Sequence, residues 1–263
     1  MVTEGLLPWY AANRRDLPWR KSREPYAVWV SEIMLQQTRV EAVIPYYRRF
    51  MQALPDVRAL ADAPEEQLLK LWEGLGYYSR ARNLQKAARE ALERFGGLPG
   101  TVKELSSLPG IGAYTAGAVA SIAFSQPVPA VDGNVLRVFA RLTDNHGDAL
   151  SPSVRRESEK TVSAIIPKDR PGDFNQAVMD LGATVCLPGG APRCEACPLS
   201  ELCLGLARGT AGELPVKAKK KERRVEEKTV LVLRDAAGRA ALERRPSRGL
   251  LAGLWQLPML AGK

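Results

Sequence analysis

All four cysteines of this 263-residue chain lie within one short stretch, spaced C-x7-C-x2-C-x5-C as Cys186, Cys194, Cys197 and Cys203. Crowding of this kind obliges the local backbone to wrap whatever the thiols hold. Zinc sites usually present two C-x2-C knuckles separated by a longer loop, whereas here a single knuckle has one lone cysteine on either side. A compact loop of soft sulfur ligands suits an iron–sulfur cluster, and one 4Fe-4S cluster is the expectation, with zinc and plain thiols as alternatives. Such a cluster can be purely structural, so redox chemistry does not follow from it. The N-terminal residues MVTEGLLPWYAANRRD lack the basic start and apolar run of a secretory signal. The thiols are therefore expected in a reducing, cytoplasmic setting without disulfides.

Helical periodicity dominates up to about residue 182. Val40, Val43, Ile44 and Tyr47 recur at i, i+3, i+4, i+7, as do Val135, Val138, Phe139 and Leu142, and Leu84, Ala88, Ala91, Leu92 and Phe95 continue the pattern. Thr101 with Glu104 forms a capping box, Asp62 before Pro64 and Glu65 reads as a helix start, and Gly96-Gly97 as a helix end. The expectation is a mainly α body over residues 1–215, with nine or ten helices. Residues 216–228 alternate Lys, Arg and Glu without apolar period and read as a linker. Beyond it, Thr229–Leu233 and Ala240–Glu243 flank Asp235-Ala-Ala-Gly238, a predicted hairpin.

The net charge of +9 invites a nucleic-acid partner, but 13 Lys and Arg against 5 Asp and Glu lie in residues 216–263, so the body carries only about +1. The basic tail is either a solvated linker or a phosphate-binding strip. No apolar stretch approaches the roughly 18 residues of a membrane span, so no membrane partner is expected.

Three features could carry chemistry. Leu108-Pro-Gly-Ile-Gly112 separates the helix opened by Thr101 from a small-residue helix, Ala113–Phe124. Glycines at 110 and 112 permit a tight turn whose following helix offers free N–H groups to a phosphate, a helix-hairpin-helix over about 101–125; an ordinary helix–helix turn is the plain alternative. Asp132, in Val131-Asp-Gly-Asn134, stands at a helix N-terminus, either as a simple cap or as a functional carboxylate. Glu32 is a lone carboxylate beside Trp29, Ile33, Met34 and Leu35. It is either desolvated, with a raised pKa suited to a general acid, or exposed on one face with Gln36. Two carboxylates in contrasting environments suit glycosidic cleavage.

Residues 18–203 resemble an adenine DNA glycosylase of the MutY type, within the helix-hairpin-helix, Gly/Pro, Asp superfamily shared with endonuclease III. The resemblance is carried by Leu17-Pro-Trp-Arg20, Ser31-Glu-Ile-Met-Leu-Gln-Gln-Thr38, Trp72-Glu-Gly-Leu-Gly-Tyr-Tyr-Ser-Arg-Ala-Arg-Asn83, Leu108–Gly112, Val131–Asn134 and the cysteine loop. It implies Glu32 as general acid toward adenine and Asp132 as the carboxylate serving the reacting sugar, with Tyr114 and Asn134 supporting the aspartate and the sugar. It further implies that Arg20 and Leu35 contact the flipped adenine, that Gln37 and Tyr77 fill the gap and stack on the opposite strand, and that Leu108, Gly110 and Gly112 meet the DNA backbone. The implied activity is excision of adenine mispaired with 8-oxoguanine or guanine from double-stranded DNA, by a monomer without strong lyase chemistry.

Two departures from that pattern stand out. The first cysteine gap has seven residues where the family usually has six, and Gly189-Gly190 is expected to absorb the extra one in a surface bulge. The resemblance also implies a Nudix-like C-terminal domain, of which residues 229–263 are expected to be only the opening, with Leu250-Leu-Ala-Gly-Leu-Trp-Gln-Leu-Pro258 as its signature. About 35 residues cannot close a domain alone, because too little apolar surface is buried to offset ordering. The nearest rival, an endonuclease III-like glycosylase and lyase, needs a lysine amine where this chain has Tyr114. A non-catalytic DNA sensor is countered by the presence of Glu32, Asp132 and Tyr114, and a nucleotide-hydrolysing Nudix module by the missing Gly-x5-Glu-x7-Arg-Glu pattern.

Overall fold

The structure, a computed structural model, describes all residues except 190–191, 219–224, 247, 250 and 263. Gly190 of the expected bulge, the middle of the basic linker and Leu250 therefore lie outside the described residues. The chain divides into two compact units, 1–218 and 219–263.

The first unit is helical. Its helices are α1 (Val2–Asn13), α2 (Pro25–Met34), α3 (Val40–Ala53), α4 (Val57–Asp62), α5 (Glu65–Trp72), α6 (Ser79–Phe95), α7 (Val102–Ser106), α8 (Ala113–Ala123), α9 (Gly133–Leu142), α10 (Pro152–Ile165), α11 (Pro171–Thr184) and α12 (Leu204–Ala207). Twelve α-helices among the described residues exceed the nine or ten read from periodicity, because short segments such as α4 and α12 cannot display a full apolar repeat. Asp62 ends α4 instead of opening α5; Asp56 caps α4, accepting from the Ala59 N–H at 2.8 Å. The other punctuation follows the capping rules. Thr101 Oγ1 accepts from the Glu104 N–H, and Gly96 ends α6 in the left-handed region.

Helix α2 is the core of this unit. Every residue from Tyr26 to Met34 is buried, with Trp29, Val30 and Met34 fully enclosed, and α3, α6 and α8 pack around it. Each large apolar side chain buried there contributes roughly 1.5–3 kcal/mol. Helix α8, built from Ala, Gly, Ser and Thr with few large side chains, fits between α2 and α11, and α11 in turn packs on α1 and α9. Small residues allow that close approach, which brings the N-termini of α8 and α9 to the same side as the buried carboxylate of α2.

In the second unit, β1 (Lys228–Val230) pairs antiparallel with β4 (Met259–Ala261), and β2 (Glu243–Arg244) with β3 (Trp255–Gln256). The hairpin expected from Asp235–Gly238 forms around that turn: the Asp235 N–H donates to the Arg239 carbonyl and the Ala241 N–H to the Leu233 carbonyl. The regular strand is shorter than the expected Thr229–Leu233, and its main ladder is made with β4. Trp255, Leu251 and Leu260 are exposed, as befits ladders too short to enclose a core.

Candidate active site

A cavity of about 730 Å³ opens between α2, α8, α9 and α11, and its walls include Arg20, Glu32, Leu35, Gln37, Tyr114, Asp132 and Asn134. Glu32 occupies the last turns of α2 and is only 7% exposed, which settles the choice between a buried acid and a surface face. Burial pushes its carboxyl up to about 7; the Tyr114 hydrogen bond and the Arg20 charge pull against that rise, and the Asp132 charge adds to it. Tyr114, one residue into α8, donates to Glu32 Oε2 at 2.7 Å. Its own pKa lies well above 10, raised by burial and by Glu32, so it remains a donor. Its hydroxyl here meets Glu32.

Asp132 is the N-cap of α9. Its Oδ1 accepts from the backbone N–H groups of Asn134 and Val135, both at 2.8 Å, and its Oδ2 from the Asn134 side chain at 2.8 Å. The bonds that start the helix also fix this carboxylate at the cavity wall. Asn134 is held in turn by Arg137, whose Nη2 donates to Asn134 Oδ1 and to the Gly182 carbonyl, each at 2.8 Å, while its Nε donates to the Cys186 carbonyl at 2.8 Å. Gly182 is required at its position, because a Cβ there would stand 2.7 Å from Asn134 Cβ.

Arg20 lines the cavity, but its guanidinium makes a two-pronged pair with Asp180 at 2.6 and 2.9 Å, so its freedom to meet a ligand is narrower than expected. Arg15 joins the same carboxylate. Burial alone would raise the Asp180 pKa; the two arginines outweigh it and hold the carboxyl below its ordinary value. Leu35 and Gln37 follow α2 at the rim, Gln37 exposed with φ +60°, and Tyr77 stands on a separate loop, 63% exposed with φ +49°. Gly110 adopts φ +75° and lies against Asn83, whereas Gly112 is extended and caps α8. The side chain of Leu108 is buried in the core, which leaves its main chain at the hairpin.

Sequence reasoning missed Arg15, Arg137, Arg155, Gln176 and Asp180. Arg137 and Arg141 left no trace in the pattern, because they fall on the face of α9 opposite its apolar stripe and only tertiary packing buries them. Arg141 donates to Cys186 Sγ at 3.2 Å and to the carbonyls of Leu187 and Leu214, each at 2.9 Å.

All four cysteines are free and line one cavity between α9, α11 and their own loop. Among the described residues, no three His, Cys, Asp or Glu side chains converge on a point that a single metal ion could occupy. A zinc ion needs every sulfur about 2.3 Å from one centre, whereas a cluster spreads its thiolates over several irons. Four soft thiols lining one cavity are a donor set that fits an iron–sulfur cluster. Burial raises the thiol of Cys197 to about 11 and, with the neighbouring cysteines, that of Cys194, so a cationic group at the centre would relieve both.

Known proteins resemble this chain in sequence and fold. Residues 30–164 match the family described as HhH-GPD superfamily base excision DNA repair protein. The chain is 41% identical to an adenine DNA glycosylase of Mus musculus over 96% of this chain and 59% of the relative. It is 36% identical to one of Buchnera aphidicola subsp. Baizongia pistaciae over 96% of this chain and 72% of the relative. Among solved structures, a thermostable thymine-DNA glycosylase matches with TM-score 0.71 and 30% identity, and a non-covalent Endonuclease III–DNA complex with TM-score 0.65 and 28% identity. Each covers 78% of this chain and 94% of its own. The chain spans about three fifths of the length of the mouse relative. With its hairpin at Gly110, its aspartate-capped α9 and its matches across nearly the whole length, the chain belongs to the HhH-GPD superfamily of base excision DNA repair proteins and, within it, to the adenine DNA glycosylase family.

Proposed function

We propose that this chain is a monofunctional DNA glycosylase that flips adenine out of a mispair with 8-oxoguanine or guanine and hydrolyses its N-glycosidic bond. The observation that carries the reading is Glu32, a buried carboxyl with its pKa near 7, facing the same cavity as the capped carboxylate Asp132. Adenine is a poor leaving group as an anion. Glu32 would donate its proton to a ring nitrogen of the base as the bond from the base to the sugar breaks and the bonding pair leaves with the base. Asp132 would then face the cationic sugar, stabilising it or closing on its anomeric carbon, until water supplies the hydroxyl and loses a proton to the Glu32 carboxylate. Leu35 and Arg20 at the cavity wall would contact the displaced base, and Gln37 and Tyr77 would occupy the gap in the duplex.

The alternative, a lyase working through a lysine Schiff base, is disfavoured by the cavity lining, which contains Tyr114 and no lysine. Cys186, Cys194, Cys197 and Cys203 would hold one 4Fe-4S cluster, which when bound would staple its loop to α9 and α11 as a structural element. Among the described residues no helix is long and apolar enough to cross a membrane. The partner is double-stranded DNA, met by a monomer in the cytoplasm.

Single-turnover excision tests the reading. Wild-type chain should release adenine from duplexes pairing it with guanine or 8-oxoguanine and leave adenine opposite thymine intact. Glu32→Gln should keep mismatch binding and lose release. Loss of binding to the same extent would make Glu32 structural, and efficient borohydride trapping of wild-type protein on DNA would favour the lyase.

A further inference from the structure

Arg80, in the first turn of α6, sends its guanidinium across to the end of α2. Nη1 donates to the carbonyls of Ile33 at 2.9 Å, Met34 at 3.1 Å and Gln36 at 2.5 Å. Nη2 donates to the carbonyls of Leu75 at 2.9 Å and Gly76 at 3.2 Å, and at 3.4 Å to Thr38 Oγ1. All six partners are neutral oxygens, and they belong to two segments far apart in the chain. The same guanidinium lies 5.6 Å from the centre of the Tyr77 ring.

Each of the two joined segments carries a left-handed residue with a side chain, Gln37 at φ +60° and Tyr77 at φ +49°. Such conformations persist only where the surroundings over-determine the backbone. The acceptors of Arg80 are the immediate neighbours of both: Gln36 and Thr38 flank Gln37, and Gly76 precedes Tyr77. Gln37 and Tyr77 themselves point their exposed surface to solvent.

We propose that Arg80 is a positioning residue that holds Gln37 and Tyr77 as one preset pair of duplex-opening side chains. The proposal rests on the reading of the chain as a base-flipping glycosylase. Opening a base pair requires that the gap be filled as the base leaves, and groups already fixed in place lose less freedom when they enter it. A rigid five-donor fork can span two loops at once; an ammonium or a single amide cannot.

The test compares adenine opposite guanine with adenine opposite a tetrahydrofuran abasic analogue, which offers no base pair to open. Arg80→Lys should slow single-turnover excision opposite guanine tenfold or more and opposite the analogue less than threefold. In the DNA-free protein, amide hydrogen exchange should quicken at both 36–38 and 75–78 while the middle of α2 stays protected. Arg80→Gln, which can reach one loop at a time, should give the same ratio and serves if the lysine variant melts early. Equal losses on the two duplexes in both variants, or faster exchange in only one loop, would overturn the proposal. Failure of the wild type to release adenine from either duplex would instead sink the glycosylase reading, and the exchange measurement would still decide whether Arg80 ties the loops.

Discussion

The hydroxyl of Tyr114 donates to Oε2 of Glu32 at 2.7 Å, so the residue that stands at the hairpin exit bears directly on the Glu32 carboxyl. A donor to a carboxylate favours the ionised form and opposes the desolvation that keeps Glu32 protonated. Tyr114→Phe should therefore raise the Glu32 pKa and carry the alkaline limb of the excision profile to higher pH. Single-turnover rates in wild type should be full below about pH 7 and decline above it, because the acid must carry its proton. A limb that stays in place, or moves toward acid, would separate the limb from Glu32.

Stability should follow the same group with a definite sign. The folded pKa of Glu32 is about 7 against an ordinary 4.5, so the folded state binds the proton more tightly. Stability falls as pH rises from about 4.5 to 7, and the full cost of ionising the buried group, about 3 kcal/mol, is present above that window. Urea unfolding of Glu32→Gln should show a gain approaching about 3 kcal/mol over wild type at pH 8 and almost none at pH 4. A gain independent of pH would point to packing instead.

Gly182→Ala tests the support behind Asp132. The new methyl would stand 2.7 Å from Asn134 Cβ and 3.2 Å from its Cα, forcing the start of α9 to move. Overpacking of this kind costs about 1–3 kcal/mol. Thermal melts should register that loss, and excision should drop further than mismatch binding does. An alanine variant with wild-type stability and rate would show that α9 has room to shift.

Removing the proposed cluster should loosen its loop before the core. Purified protein is expected to be brown with about four irons per chain. Chelation after reduction should raise thiol reactivity at Cys194 and Cys197, and exchange should quicken over residues 192–204 while α2 stays protected. Colourless protein with one zinc per chain would overturn the assignment.

In the second unit, where Trp255 is 66% exposed, Trp255→Ser should leave the melting temperature of the helical unit unchanged, because an exposed ring contributes little burial. Differential scanning calorimetry would detect a shift if the two units unfold together.

Much of this protein was legible along the chain because the information is local. The apolar repeat of α9, the capping box at Thr101, the glycine at 110 and the crowding of four cysteines each depend on neighbours a few residues away, and each expresses backbone geometry or ligand chemistry that no distant contact overrides. The candidate carboxylates were readable too, since a lone Glu32 in an apolar helix and an aspartate before Gly133 announce themselves by company and position. What the chain could not announce were contacts spanning many residues. Asp180 lies some 160 positions from Arg20, Arg80 meets oxygens on two separate loops, and Tyr114 turns toward Glu32 across the α2–α8 contact. Whether Glu32 is an acid or a surface residue depended on whether water reaches it, and only the packing of α3, α6 and α8 around α2 excludes that water. Periodicity determined which faces are buried; tertiary packing decided which charges are buried with them, because desolvation is a property of all the surrounding elements at once.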